Sequence, residues 1–72
     1  MKVKELITQL QAIDPELTVM RDGYEGGVTE ATQADVVTVA LNVNTSWYYG
    51  EHEVVYLGDP KGYTEVQAVR IY

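Results

Sequence analysis

From Asp22 to Gly27 the chain reads Asp-Gly-Tyr-Glu-Gly-Gly, which puts three of its six glycines into one short stretch. Glycine enters left-handed and mirror-β backbone without the Cβ clash that stops other residues. This density fixes a sharp bend and divides the N-terminal third of the chain from the remainder. Main chain at such a bend can also approach another group closely, and Tyr24 and Glu25 are the side chains the bend displays.

Upstream of the bend, Val3, Leu6, Ile7, Leu10 and Ile13 fall at the i, i+3, i+4, i+7 spacing of one helical face, with Lys4, Glu5, Thr8, Gln9 and Gln11 opposite. The spacing predicts an amphipathic helix over residues 3–13. Asp14-Pro15 ends it, because proline lacks an N–H and keeps the residue before it out of helical geometry. The helix start is weakly specified. Lys2 and Lys4 oppose the helix dipole, and no Ser, Thr, Asp or Asn stands at the cap. Alternation then predicts a strand over residues 17–21.

Downstream, residues 28–33 are polar and β-branched and suit an edge or connecting segment. Val36-Val37-Thr38-Val39-Ala40-Leu41-Asn42-Val43 is the strongest strand signal, with Val37, Val39, Leu41 and Val43 on one apolar face, and it is expected to sit centrally. The strands are placed at 35–43, 53–57 and 65–71. Asn44 to Glu51 is a connection, and Gly58-Asp59-Pro60-Lys61-Gly62 is a turn. No connection is long enough for a second crossover helix. The expected fold class is therefore α+β: one N-terminal helix packed on a four-stranded, mainly antiparallel sheet, in two layers.

A chain of 72 residues is one domain, 1–72, near the lower limit of what folds alone. It has no cysteine, so neither a disulfide nor a thiolate metal site can staple it. A modest core with surplus Tyr, Trp and Val surface predicts a symmetric homodimer, in which an identical neighbour covers those faces.

Eleven Asp or Glu against five Lys or Arg give a formal charge of −6. Such a surface repels phosphate backbones and has no basic stripe, so direct nucleic-acid binding is not expected. The acidity confers solubility; it also suits a surface that attracts a basic partner or imitates nucleic acid before a protein that binds it. No apolar run approaches the ~20 residues of a membrane span. The expectation is no signal peptide, no membrane association and a cytoplasmic location.

Catalytic chemistry has little to draw on. His52 is the single histidine and Ser46 the single serine, and they read as a half-exposed strand residue and a turn former rather than a nucleophile pair. The acidic pairs Glu51/Glu53 and Asp22/Glu25 match neither an EF-hand loop nor a zinc motif. The chain is expected to be no enzyme, with no cofactor and no metal.

The aromatics are more telling. Six tyrosines, one tryptophan and no phenylalanine mean that every ring carries a polar handle, as at surfaces that are partly apolar and partly wet. Trp47-Tyr48-Tyr49 is a run that cannot all point into a core. The expected ligand- or partner-binding surface is Tyr24 with the Gly26-Gly27 backbone and Trp47, Tyr48 and Tyr49, with Arg21 and His52 as polar adjuncts. Both segments are glycine-punctuated loops at strand ends.

Lys4-Glu5-Leu6-Ile7, Leu10, Asp14-Pro15 and the Gly23 to Gly27 bend, with weaker echoes at Leu41-Asn42-Val43 and Trp47-Tyr48-Tyr49-Gly50, resemble a group of small phage and prophage proteins. That group opens with a KELI-type helix, passes an Asp-Pro turn and shows a GYEGG-type bend. The resemblance implies phage origin and residence in the cytoplasm of a bacterial host. It implies a host-takeover or counter-defence factor that occludes a host protein or sequesters a nucleotide-like immune signal. The alternative is a structural or assembly accessory of a phage.

Overall fold

The computed structural model describes residues 1–56 and 62–72. They form two compact units, Met1–Gln33 with Ile71–Tyr72, and Ala34–Arg70. The elements in chain order are α1 (Val3–Gln11), β1 (Met20–Asp22), β2 (Val28–Glu30), β3 (Ala34–Ala40), β4 (Glu53–Val54) and β5 (Glu65–Ile71). The α+β class holds, with one helix and antiparallel strands. The expectation of four strands in one sheet is corrected: five strands form a two-stranded sheet, β1-β2, and a three-stranded sheet, β4-β3-β5.

In the first unit, α1 starts at Lys2, whose backbone N–H donates to the Glu5 carboxylate at 3.2 Å. A carboxylate in the first turn satisfies an orphan donor and offsets the lysines against the helix dipole. The helix ends earlier than residue 13. Ala12 and Ile13 donate to the carbonyls three residues back, of Gln9 and Leu10, which tightens the last turn out of α geometry. Asp14 then accepts the Glu16 N–H on its side chain at 2.9 Å and the Leu17 N–H on its carbonyl at 3.2 Å. That turn consumes Leu17, so the strand expected from residue 17 begins at Met20. The helix stripe of Val3, Ile7, Leu10 and Ile13 is about half accessible.

The glycine bend folds the chain back on itself. β1 and β2 pair with Asp22 opposite Val28, and the Gly23 N–H donates to the Gly27 carbonyl at 3.0 Å across the loop. Gly26 and Gly27 have φ of 135° and 63°, and a Cβ on Gly23 would overlap the Gly26 carbonyl oxygen. The close approach expected of this bend is therefore made by its own backbone. Residues 28–33, read as an edge or connecting segment, supply β2 as the return strand of this hairpin. This is the reason the first strand does not join the larger sheet.

Beyond β2 the Ala31 N–H still donates to the Val19 carbonyl at 2.9 Å, and the chain then changes partner. The Thr32 and Gln33 N–H groups both donate to the Tyr72 carbonyl at 2.7 Å, and Tyr72 N–H returns a bond to the Gln33 carbonyl at 3.0 Å. Two consecutive donors thus share one acceptor oxygen. The Thr32 hydroxyl adds a third bond to the same oxygen at 3.1 Å.

In the second unit β3 is the central strand, as its valine-rich sequence predicts, and Ala40 near its end is fully buried. Val39 faces Val54 across the ladder to β4, and the ladder continues one residue past β4 through the Val55 N–H to the Thr38 carbonyl. On the other side, the Leu41 N–H donates to the Thr64 carbonyl at 2.8 Å next to β5. The Gln67 side-chain amide donates to the Thr38 hydroxyl at 2.9 Å. β3 stops at Ala40 rather than Val43, because Asn42 takes φ 57°, the left-handed region that asparagine tolerates. β5 matches the expected 65–71. The turn at Gly58 to Lys61 and the end of the strand at Leu57 lie outside the described residues.

Two substitutions separate these backbone demands. Gly23→Ala is expected to lower stability by more than ~1 kcal/mol, since its Cβ meets backbone. Gly50→Ala, which meets nothing within 4 Å, is expected to be within about 1 kcal/mol of wild type. Urea denaturation followed by circular dichroism measures both.

Candidate functional site

The aromatic loop is held at its base by one side chain. Asn44 donates its backbone N–H to the Glu51 carbonyl at 3.0 Å, and its side-chain amide donates to the Gly50 carbonyl at 2.8 Å and to the Glu53 carboxylate at 2.7 Å. Within the loop, Tyr49 N–H donates to the Ser46 carbonyl at 3.1 Å. These hydrogen bonds close the loop at its base and across one internal turn. Its aromatic side chains are left outside that network.

The rings are open. Trp47 is 93% exposed, Tyr48 66% and Tyr49 64%. Trp47 and Tyr48 meet edge to face, with centroids 5.6 Å apart and planes at 89°, and Tyr48 and Tyr49 are 5.0 Å apart and tilted by 48°. Such offsets are the favoured ring geometries, so the rings order one another while their outer faces stay in water. This is the expected display of Trp47, Tyr48 and Tyr49.

His52 comes directly after the loop and braces it. Its Nδ1 accepts the Asn42 N–H at 2.9 Å, which makes Nε2 the protonated nitrogen of the neutral ring, and Nε2 lies 3.7 Å from the Glu51 carboxylate. The bond satisfies the amide of the one non-glycine residue with positive φ among the described residues. The Nδ1 acceptor is the nitrogen that holds the loop's entry. Glu51 and Glu53, read from sequence as a same-face acidic pair, are drawn into the same closure through His52 and Asn44.

His52 also lines a shallow groove of about 320 Å³ on the three-stranded sheet. Val37, Val39, Val54 and Ala68 give the groove its apolar surface, and Arg70, which donates to the Tyr56 hydroxyl at 3.2 Å, stands among its lining residues. Sequence reasoning did not single out this groove. The alternation of Val37 and Val39 signals its apolar strand, but only the register brings Val54 and Ala68 beside them.

The other expected site residues lie in the first unit. Tyr24 is 97% exposed at the tip of the glycine loop. Arg21 donates to the Asp22 carbonyl at 2.9 Å. Gly26 and Gly27 supply the positive φ angles that the hairpin needs. Arg21, Tyr24, Gly26 and Gly27 therefore form one cluster, and Trp47, Tyr48, Tyr49 and His52 form another, each in its own compact unit. Among the described residues no helix is long and apolar enough to cross a membrane.

Comparison with known proteins finds no matching family model, no matching curated protein and no matching solved structure.

Asn44→Ala removes the two side-chain bonds that close the aromatic loop. The expected result is a stability loss of about 1–2 kcal/mol and faster amide exchange in the loop, read by hydrogen exchange with NMR. In the wild type, two-bond proton–nitrogen NMR spectra are expected to show the His52 proton on Nε2. A proton on Nδ1 of the neutral ring would contradict the Asn42 bond.

Proposed function

We propose that this chain is a non-enzymatic binding protein of phage type, a host-takeover or counter-defence factor that acts in the host cytoplasm by occluding a host protein. The observation that carries the reading is the aromatic loop: three rings are exposed on a backbone that Asn44 and His52 hold in place. Exposed Trp and Tyr on a rigid support offer large contact area at low ordering entropy. The resemblance of the KELI helix and GYEGG bend to small phage proteins supplies the biological setting. Tyr24, exposed on a self-closed glycine loop, is a second anchor of the same kind.

The same reading makes the protein a symmetric homodimer. The half-accessible stripe of Val3, Ile7, Leu10 and Ile13 is the apolar surface that a second copy would cover. Sedimentation at high micromolar concentration is expected to show the dimer, and a strict monomer would refute it.

Immobilised protein is to be exposed to bacterial host lysate, and captured proteins and released small molecules identified by mass spectrometry. A host protein is expected to be retained, and Trp47→Ala or Tyr24→Ala, each checked for native circular dichroism, should weaken its capture about tenfold. Capture unchanged in both variants would remove these rings as the site.

A further inference from the structure

Between Arg21 and Lys61 the sequence has no lysine or arginine, whereas Asp22, Glu25, Glu30, Asp35, Glu51 and Glu53 all fall in that interval. The aromatic loop lies inside it, so its charged neighbours along the chain are carboxylates. Ring faces carry the negative end of the aromatic quadrupole and attract cations, and a nearby carboxylate adds to that attraction. Glu51 is such a carboxylate. Its carbonyl closes the loop base by accepting the Asn44 N–H, while its side chain is 71% exposed.

We infer that the aromatic loop recognises a cationic side chain of a basic protein segment, with the exposed faces of Trp47, Tyr48 and Tyr49 receiving the cation and the Glu51 carboxylate pairing with it. The perpendicular Trp47 and Tyr48 planes offer faces in two directions. Arginine fits better than lysine, because its planar guanidinium stacks on a ring and offers paired N–H donors to a carboxylate. An anionic ligand such as a nucleotide would stack its base on the same rings but bring its phosphates towards Glu51. The inference rests on the binding-protein reading above and adds the chemistry of the partner.

Trp47 is the single tryptophan, so its fluorescence reports this loop alone. The full chain is to be titrated with an acetylated, amidated tetra-arginine peptide and, separately, with tetralysine, tetraglutamate and ATP. A saturable Trp47 response to tetra-arginine is expected, weaker for tetralysine and absent for the two anions, and it should weaken as ionic strength rises. Glu51→Gln should lower the tetra-arginine affinity about twofold to fivefold. The double variant Glu16→Gln, Glu30→Gln removes twice that charge without altering the aromatic loop or its flanking residues in the chain and should lower it less.

The inference is overturned by a flat Trp47 signal up to millimolar tetra-arginine or by a stronger response to ATP or tetraglutamate. It also fails if Glu51→Gln and that double variant lose equal affinity, because unspecific attraction to an acidic protein then suffices. Lysate capture distinguishes the two readings. Capture that Trp47→Ala abolishes but that tetra-arginine does not compete away, and that Glu51→Gln leaves intact, keeps the binding protein and removes the cationic partner.

Discussion

The carbonyl oxygen of Tyr72 receives the N–H groups of both Thr32 and Gln33 and the hydroxyl of Thr32. These bonds follow directly on the Ala31 N–H bond to the Val19 carbonyl, so the chain changes its hydrogen-bonding partner between Ala31 and Thr32. The long β-forming stretch that runs from Val28 to Ala40 is thereby used twice. Its first part closes a hairpin with β1, and its second part, restarting at Ala34, becomes the centre of a separate sheet. The positions of both loops result from this division, since each hangs from a different ladder.

Within those ladders, the two candidate loops are stabilised by opposite means. The glycine loop is shaped by backbone alone: Gly23 lies against the Gly26 carbonyl, where a side chain has no room, and Tyr24 is simply left outside. The aromatic loop is shaped by side chains: Asn44 spans its base and His52 accepts the amide of the left-handed Asn42. A loop ordered before it meets a partner loses less conformational freedom on binding. Both devices therefore favour recognition by rings already in position.

Burial is thin by comparison. Ala40 is the fully buried apolar residue among the described ones, while the helix stripe and several sheet valines keep water contact. A small chain hides only a modest share of its apolar surface, and here that surface is accompanied by a formal charge of −6. The cations are unevenly placed. The long cation-free interval contains both displayed aromatic segments, which couples apolar exposure to negative charge at the sites where contact with another molecule is expected.

The sequence by itself determined the elements whose cause is local. The apolar spacing from Val3 to Ile13 specified the helix, the valines of β3 specified a central strand, the glycines from Gly23 to Gly27 specified the hairpin bend, and a run of three aromatics specified an exposed loop. Each arises from side-chain period or backbone sterics within a few residues. Pairing was different, because a strand of suitable composition does not state which edge it meets. Only the tertiary structure decided that β2 returns on β1, that the Tyr72 oxygen receives Thr32 and Gln33, and that Asn44 and His52 hold the aromatic loop. Those contacts join residues apart in sequence through hydrogen bonds whose partners are chosen by register, and register is fixed only when the strands assemble.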